Sequence, residues 1–189
     1  DVVLFRSSRL RSASTADRWV SSAPGPQTRP AAFSNALGQR SSAPGDARAP
    51  ALPRPGAALP LADLPLLDGS MFRASAADGQ VLVVYWWASW CPFCAVQSPH
   101  IEKLWRKERT RGLQVLALSI DRTREAAAAY LQQKGYTFPA AMLTPEVAKV
   151  LPKPKGLPVV VVRGRDGKVA FAEAGEMFPE DIEGLAKFL

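Results

Sequence analysis

The sequence predicts an α/β sandwich over residues 59–189, with parallel strands at the centre of its sheet and antiparallel strands at one edge. Two observations predict this fold class. Apolar runs rich in β-branched residues alternate with segments whose apolar residues recur at helical spacing, a pattern typical of parallel strands joined by helices. A hairpin signal and an amphipathic segment then close the chain, and they add the antiparallel edge.

The first predicted elements are a short hairpin and a buried strand. Asp68-Gly69 is a turn signal between the apolar stretch 59–67 and residues 71–73. A second turn, Asp78-Gly79, precedes an apolar run at 81–87 that is rich in β-branched and aromatic residues. Such a run predicts a strand that is buried on both faces.

Helix and strand alternate next. Residues 92–109 carry apolar side chains at roughly helical spacing, with Pro99 inside as an expected kink. The apolar run 113–120 predicts another buried strand. Asp121-Arg122-Thr123 is expected to cap a second helix, which ends at Gly135.

The last third of the chain predicts a short strand at 138–143, a short helix at 145–151 and a final hairpin. Gly164-Arg165-Asp166-Gly167 is a good hairpin signal because apolar strand segments flank it at 159–162 and 168–172. A closing amphipathic helix is expected to bury one face, formed by Phe178, Ile182, Leu185 and Phe188.

Residues 1–58 differ in composition from the rest. They hold seven prolines, nine serines, and eight arginines against three aspartates, so they carry +5 of the total charge of +7. We expect a disordered Pro/Ser/Arg-rich leader or linker. No apolar run approaches the ~20 residues of a membrane span, so no membrane anchor is visible. Nucleic-acid binding is not expected, because the basic leader contains no recognisable module.

The chemistry is predicted at Trp90-Cys91-Pro92-Phe93-Cys94, where a buried strand meets a helix. Cys91 and Cys94 are the only cysteines in the chain, and residues three apart on a helix are neighbours, so a reversible disulfide is feasible. Cys91 at the helix start is the expected nucleophile, because free N–H groups and the helix dipole stabilise a thiolate there. Pro92 suits the first helical position.

Other roles for the two cysteines fit less well. A structural disulfide that closes so small a loop would remove little chain entropy. A zinc site needs four ligands, and the only histidine, His100, falls on a different helix face, so no metal is predicted. The neighbouring Glu102, Lys103 and Arg106 are interpreted as an ordinary exposed helix face.

These residues resemble a known family, the thioredoxin-like proteins, and within it the TlpA/ResA-like group that includes the cytochrome c maturation thioredoxins. The resemblance covers about residues 59–189. Its matches are residues 85–94 as strand and active-site segment, Pro99 as helix proline, Gly156-Leu157-Pro158 as the cis-proline loop, Asp166-Gly167-Lys168 as the turn, and residues 66–69 as part of the N-terminal hairpin.

The resemblance implies a thioredoxin fold: a central mixed β-sheet flanked by helices, with an N-terminal β-hairpin extension. It implies that the Leu157–Pro158 bond is cis, although only about 5–6% of X-Pro bonds are cis, and that the backbone of Leu157 pairs with an extended substrate chain. Trp90 is expected to help bind the substrate. The residues expected to support the active site are Pro92, Phe93, Gln97 and Pro99.

Two residues depart from the family pattern. Thioredoxins carry a buried Asp where this chain has Tyr85, and the TlpA/ResA-like group often has a Glu where this chain has Gln97. Neither carboxylate that could accept a proton from Cys94 is therefore present. We hypothesise that Gln97 makes a local hydrogen bond and that the proton of Cys94 leaves through water or another group.

The resulting prediction is a thiol-disulfide oxidoreductase that acts on protein disulfides, as a reductant by analogy with the family. Three alternatives stay open: a disulfide-forming oxidant, a thiol peroxidase, and a non-catalytic binding or chaperone module. No cofactor is expected. The expected partners are protein thiol or disulfide substrates and an upstream redox protein, the expected state is a monomer, and the resemblance implies a periplasmic or otherwise extracytoplasmic location.

Overall fold

The computed structural model describes residues 49–189, and most of the predicted leader, residues 1–48, lies outside them. The described chain contains seven strands and four α-helices. The strands are β1 (Leu64–Pro65), β2 (Met71–Phe72), β3 (Val81–Trp87), β4 (Leu113–Ser119), β5 (Ala140–Met142), β6 (Val159–Arg163) and β7 (Val169–Ala174). The helices are α1 (Pro92–Glu108), α2 (Arg124–Lys134), α3 (Pro145–Val150) and α4 (Pro179–Gly184).

Five strands form one mixed sheet in the order β5-β4-β3-β6-β7. Strands β3, β4 and β5 run parallel, whereas β6 and β7 are antiparallel to their neighbours. The predicted parallel centre and antiparallel edge are therefore confirmed. β1 and β2 form the predicted N-terminal hairpin as a separate antiparallel pair.

Strand β3 divides the core into two halves because its side chains alternate between the faces of the sheet. Tyr85 and Trp87 pack on the face covered by α1, α2 and α4, while Trp86 packs on the opposite face. The opposite face is covered by the hairpin and α3 through Leu64, Phe72 and Val147. The hairpin extension thus supplies the second layer that an all-apolar strand requires.

Local capping defines α2 as predicted. The hydroxyl of Thr123 accepts a hydrogen bond from the backbone N–H of Ala126 at 3.1 Å, and Gly135 ends the helix in the left-handed conformation. Asp121, which was expected to share the capping, instead accepts a hydrogen bond from the hydroxyl of Ser119 at the end of β4.

The described part of the predicted leader, residues 49–58, contacts the folded domain. Gly56 donates its backbone N–H to Val169 at 2.8 Å, and Ala58 forms an antiparallel bridge with Lys168. This stretch therefore lies against the start of β7. The boundary after residue 58 stays a prediction.

Two expectations about exposure are wrong. Glu102 is buried, because its carboxylate accepts hydrogen bonds from Thr137 and from the backbone of Phe138, both far along the chain. Phe178 does not join the buried face of the closing helix. It lies before the first residue of α4 and is exposed, whereas Ile182 and Leu185 are buried.

Across residues 49–189, none of the helices combines the length and the apolar character needed to cross a membrane.

Candidate active site

The two cysteines lie where β3 leads into α1. Cys91 is the N-cap residue of α1 and Cys94 lies one turn inside the helix. They form a disulfide across a Cα–Cα distance of 5.2 Å. The pairing expected from the sequence is therefore present, and Pro92 occupies the predicted first helical position.

The surroundings of the two sulfurs differ in the predicted direction. The Sγ atom of Cys91 accepts a hydrogen bond from the backbone N–H of Cys94 at 3.2 Å, which is the N-cap interaction. In the reduced protein this donor and the helix dipole favour a thiolate on Cys91. Cys91 keeps 4% of its surface exposed, whereas Cys94 is completely buried.

Neutral hydroxyl groups lie behind Cys94. The hydroxyl of Tyr85 shares a hydrogen bond with the hydroxyl of Ser98 at 3.0 Å and donates a long one, 3.4 Å, to the carbonyl of Cys94. Burial raises the pKa of Tyr85 far above its ordinary value, and the hydrogen bond with Ser98 offsets only part of this shift. Tyr85 is therefore a neutral phenol that positions α1 and cannot serve as a base at physiological pH.

Gln97 fills the position where the related group often has a glutamate. Its side chain is fully buried, and its Oε1 atom accepts a hydrogen bond from the backbone N–H of Met177 at 2.8 Å. Its Nε2 atom has no partner within residues 49–189. The bond expected to be local in fact reaches the segment before α4, 80 residues away.

The cis-proline loop reaches the same end of the sheet. The Leu157–Pro158 bond is cis, which confirms the expectation. β6 begins opposite Trp86, so Leu157 and Pro158 lie at the end of β3 that leads into the dithiol. The ammonium of Lys153 donates hydrogen bonds to the carbonyls of Pro154 at 2.8 Å and Gly156 at 3.0 Å, and so holds the loop together.

The remaining predicted residues lie beside Cys91 or within α1. Trp90 and Phe93 flank Cys91 in the sequence and are both exposed, so they are available to a partner. Pro99 lies inside α1 as predicted. The structure therefore gathers the cysteines, Trp90, Phe93 and the cis-proline loop at one end of β3, and Gln97 lies about one turn after Cys94 along α1.

Asp121 is a residue of this region that the sequence analysis did not assign to the site. Its buried carboxylate accepts hydrogen bonds from the hydroxyls of Ser89, at 2.7 Å, and Ser119, at 2.8 Å, and from the backbone N–H of Ser89. It therefore holds the turn that carries Trp90 and Cys91. Its position two residues after the end of β4 was the available signal, since parallel strands end at the same edge of a sheet.

Within residues 49–189, no three His, Cys, Asp or Glu side chains lie close enough together to hold a metal ion.

Comparisons with known proteins agree with this arrangement. The profile of the AhpC/TSA family matches residues 55–171. Thiol-disulfide oxidoreductase ResA of Bacillus thuringiensis (strain Al Hakam) is 27% identical over 121 residues, which cover 64% of this chain and 70% of that protein. A ResA of Bacillus cereus is 28% identical over 120 residues, which cover 62% and 68% respectively.

Solved structures share the fold. A thiol:disulfide interchange protein of the thioredoxin family from Chlorobium tepidum TLS superposes with a TM-score of 0.66 at 22% identity, covering 71% of this chain and 95% of that one. A protein from Chlorobium tepidum described as a thiol:disulfide interchange protein DsbE gives a TM-score of 0.60 at 29% identity, covering 71% and 94%. The predicted thioredoxin fold is confirmed.

Proposed function

Because this chain belongs to the AhpC/TSA family and is a thiol-disulfide oxidoreductase, we propose that it reduces disulfides in protein substrates through Cys91 and Cys94. The observation that carries the proposal is the disulfide between a helix N-cap cysteine and a buried cysteine one turn later. This arrangement stabilises the thiolate form of Cys91 and holds the sulfur of Cys94 within bonding distance.

Exchange proceeds in two thiolate attacks. The Cys91 thiolate attacks one sulfur of the substrate disulfide, which forms a mixed disulfide and releases the other substrate sulfur as a thiolate. The Cys94 thiolate then attacks Sγ of Cys91 and releases the second substrate sulfur. Two electrons pass to the substrate, whose two sulfurs each take up a proton, and the enzyme is left with the Cys91–Cys94 disulfide.

The second attack requires Cys94 to lose its proton in neutral surroundings. Tyr85 is held as a phenol, and the oxygen of Gln97 is occupied by Met177. The proton of Cys94 therefore leaves through water that enters when the mixed disulfide opens the site, or through the departing substrate thiolate. The rate of the second step then follows the thiolate fraction of Cys94 itself.

Substrate binding uses the rim around Cys91. The backbone of Leu157 lies at the end of β3 beside the dithiol, where an extended substrate segment can add as a strand. Trp90 and Phe93 give that segment an apolar surface next to the nucleophile. Substrates that bind in this way are proteins whose accessible disulfide lies in an extended segment of chain.

The electrons come from an upstream dithiol protein, which reduces the Cys91–Cys94 disulfide by the same exchange in reverse. The relatives are a thiol-disulfide oxidoreductase named ResA and an interchange protein named DsbE. By analogy with the TlpA/ResA-like group, the proposal is a reductant that works in an extracytoplasmic compartment, as a monomer without a bound cofactor. The reduction potential tests the direction. Equilibration with glutathione is expected to give a value near the ~−270 mV of thioredoxin, and a value near the ~−120 mV of DsbA would identify an oxidant.

Trapping of substrates tests the roles of the two cysteines. With Cys94→Ala, the mixed disulfide on Cys91 cannot be resolved, so partner proteins should stay covalently attached and be released by dithiothreitol. The matched control is Cys91→Ser with Cys94 intact, which should trap nothing. Equal trapping by both variants would contradict the assignment of Cys91 as nucleophile.

A further inference from the structure

Large apolar side chains are exposed mainly around the dithiol end of the molecule. Five are strongly exposed among residues 49–189, and four of them lie on α1, just before it, or just before α4, namely Trp90, Phe93, Val96 and Phe178. The fifth, Met71, lies in the N-terminal hairpin, which packs on the face of the sheet opposite α1 and α4. Clustered exposed apolar residues mark interaction sites more often than scattered ones do.

Phe178 is the most exposed of them, with 75% of its surface accessible. It is the N-cap residue of α4, and its side chain makes no capping hydrogen bond. Ser, Thr, Asp and Asn are preferred at this position because their oxygen accepts a hydrogen bond from the helix. Phe178 therefore contributes neither capping nor core packing, and folding stability does not account for an aromatic residue here.

A pocket lies between Phe178 and α1. Its volume is about 210 Å³, and it is lined by Val96, His100, Glu176, Met177, Phe178 and Pro179. This volume is smaller than the ~300–1,000 Å³ of pockets that enclose small ligands, and it suits a single side chain. Val96 is three residues after Phe93 on α1, so the pocket continues the apolar surface that begins beside Cys91.

The far side of Phe178 is acidic. A second pocket of about 350 Å³ shares Glu176, Met177 and Phe178 with the first and adds the carboxylates of Glu173 and Asp181. One cation, Lys187, lines it too, and its ammonium lies over the ring of Phe188 at 5.1 Å. Three carboxylates against one ammonium favour a basic side chain at this border.

We propose that this surface selects the protein substrates of the enzyme: the pocket between α1 and Phe178 binds a large apolar side chain near the reactive disulfide, and the acidic border binds a basic side chain beyond it. The occupant is an extended segment of the disulfide-bearing partner. Continuity with the dithiol and the charge of the border support this choice. The inference rests on the proposed reduction of protein disulfides and adds the sequence preference.

The test compares peptide disulfides that differ only in one side chain, Leu or Ser, at successive positions beside the cysteine. For the wild-type protein, kcat/KM for the Leu peptide should exceed that for the Ser peptide by about tenfold at the best position, which corresponds to about 1.4 kcal/mol. Phe178→Ser should reduce this ratio to near one, mainly through KM. The matched control Met71→Ser should keep the full ratio.

Folding does not confound this test. Serine is a preferred N-cap residue, so Phe178→Ser should leave the thermal unfolding temperature unchanged or higher. A ratio near one in the wild-type protein, or a full ratio in Phe178→Ser, would overturn the inference.

The acidic border has its own test. Replacing a Lys beyond the apolar residue of the peptide by Glu should lower kcat/KM by about two- to fivefold at low salt, and Glu176→Gln should shrink that difference. An effect of equal size in Glu176→Gln would remove the border from the proposal.

Glutathione disulfide as a substrate distinguishes a failure of the proposed selective surface from a failure of the proposed function. A wild-type protein that reduces glutathione disulfide and both peptides without preference retains the proposed function and loses the selective surface. A wild-type protein that reduces none of them overturns the proposed function and the inference with it.

Discussion

The two halves of α1 use opposite side-chain patterns. In the first half, residues 92–99, the apolar side chains of Phe93 and Val96 face solvent, whereas the polar side chains of Gln97 and Ser98 are fully buried. The amide Nε2 atom of Gln97 has no partner within the described chain. An unpaired buried donor and exposed apolar surface both work against stability.

In the second half, residues 100–108, apolar packing and paired carboxylates serve stability, although the indole Nε1 atom of Trp105 also has no partner within residues 49–189. Ile101 and Leu104 are buried in the core. The buried carboxylates have partners: Glu102 binds Thr137 and Phe138, and Glu108 pairs with a nearby arginine at 2.6 Å. The buried carboxylates of the second half are thus paired, whereas the buried amide of the first half uses only its oxygen.

The difference teaches that one continuous helix can separate function from stability along its length. The half that starts at the dithiol leaves apolar side chains exposed next to the reactive cysteine, at a cost in stability. The other half stabilises the helix through hydrogen bonds to the segment before β5. Natural chains depart from local rules mainly at functional sites. Substitutions in the first half should therefore change exchange activity more than stability, and those in the second half should do the reverse.

The largest expected effect is at the helix start. Cys91→Ser removes the nucleophile, so disulfide reduction should fall by roughly 10³-fold or more. Insulin reduction by the purified protein measures this. The control Ala95→Ser, an exposed site on the same helix half, should stay within about twofold because surface changes are small. Substantial insulin reduction by Cys91→Ser would contradict the assignment of Cys91 as nucleophile, whereas full biological activity of a Cys91→Ser variant that no longer reduces insulin would favour the binding-module interpretation.

Glu102→Ala should give the largest loss of stability. It leaves the backbone N–H groups of Thr137 and Phe138 without their acceptor, so the free energy of unfolding should fall by about 2–4 kcal/mol. Urea unfolding measures the loss. Lys103→Ala, next to it but exposed and paired with Glu183 at the surface, should change stability by less than about 1 kcal/mol. Similar losses in both variants would contradict the stabilising role of the buried Glu102 carboxylate.

The same carboxylate predicts a pH dependence. Burial alone would raise the pKa of Glu102, but hydrogen bonds from Thr137, Arg106 and the backbone of Phe138 lower it overall. Because the pKa is lowered in the folded state, this stabilisation is complete above the ordinary glutamate pKa of about 4.3 and is lost as the pH falls through the lowered value. Glu102→Gln should weaken this acid-side decline, and an unchanged decline in the urea-unfolding free energy would contradict it.

Gln97→Glu should change the pH dependence of the second exchange step. In the wild-type protein Gln97 is a neutral amide whose oxygen accepts a hydrogen bond from a backbone N–H. Because no carboxylate occupies this position, the pH–rate profile of reduction should show no carboxylate-like ionisation. The glutamate variant should add one and speed resolution at neutral pH by severalfold, because general bases contribute to thiol ionisation. A carboxylate-like step in the wild-type profile that disappears in Gln97→Ala would contradict the neutral-site hypothesis.

The smallest expected effect is that of Tyr85→Phe. It removes the hydroxyl that bonds Ser98, so the unfolding free energy should fall by about 1 kcal/mol. The alkaline limb of the pH–rate profile should be unchanged, because the raised pKa of Tyr85 keeps it protonated in that range. A loss of that limb in the variant would show that the phenol takes part in proton transfer.

The sequence predicted the fold well where the signals are local. The capping of α2 by Thr123 and Gly135, the strand β3 and the hairpin at 164–167 all lie where their residue types indicated. Exposure was less predictable: Glu102 was expected outside and Phe178 inside, and both expectations are wrong. A helical face gives the direction of a side chain but does not say which distant segment covers it.

The features of the site also divide into those that local sequence signals predicted and those that depend on distant residues. The cysteine pair and its position at the start of a helix follow from residue spacing, and the resemblance supplied the cis-proline loop. The hydrogen bond of Asp121 to Ser89 spans 32 residues, and that of Gln97 to Met177 spans 80. No periodicity reaches across such separations.

The sequence by itself determined the elements, their caps and the reactive pair, because these depend on interactions within about four residues along the chain. The tertiary structure alone decided which carboxylates are buried, which backbone group the buried amide of Gln97 binds and which aromatic residues stay exposed. The order of strands in the sheet brings these partners together, and a side chain's environment depends on that order rather than on its neighbours in sequence.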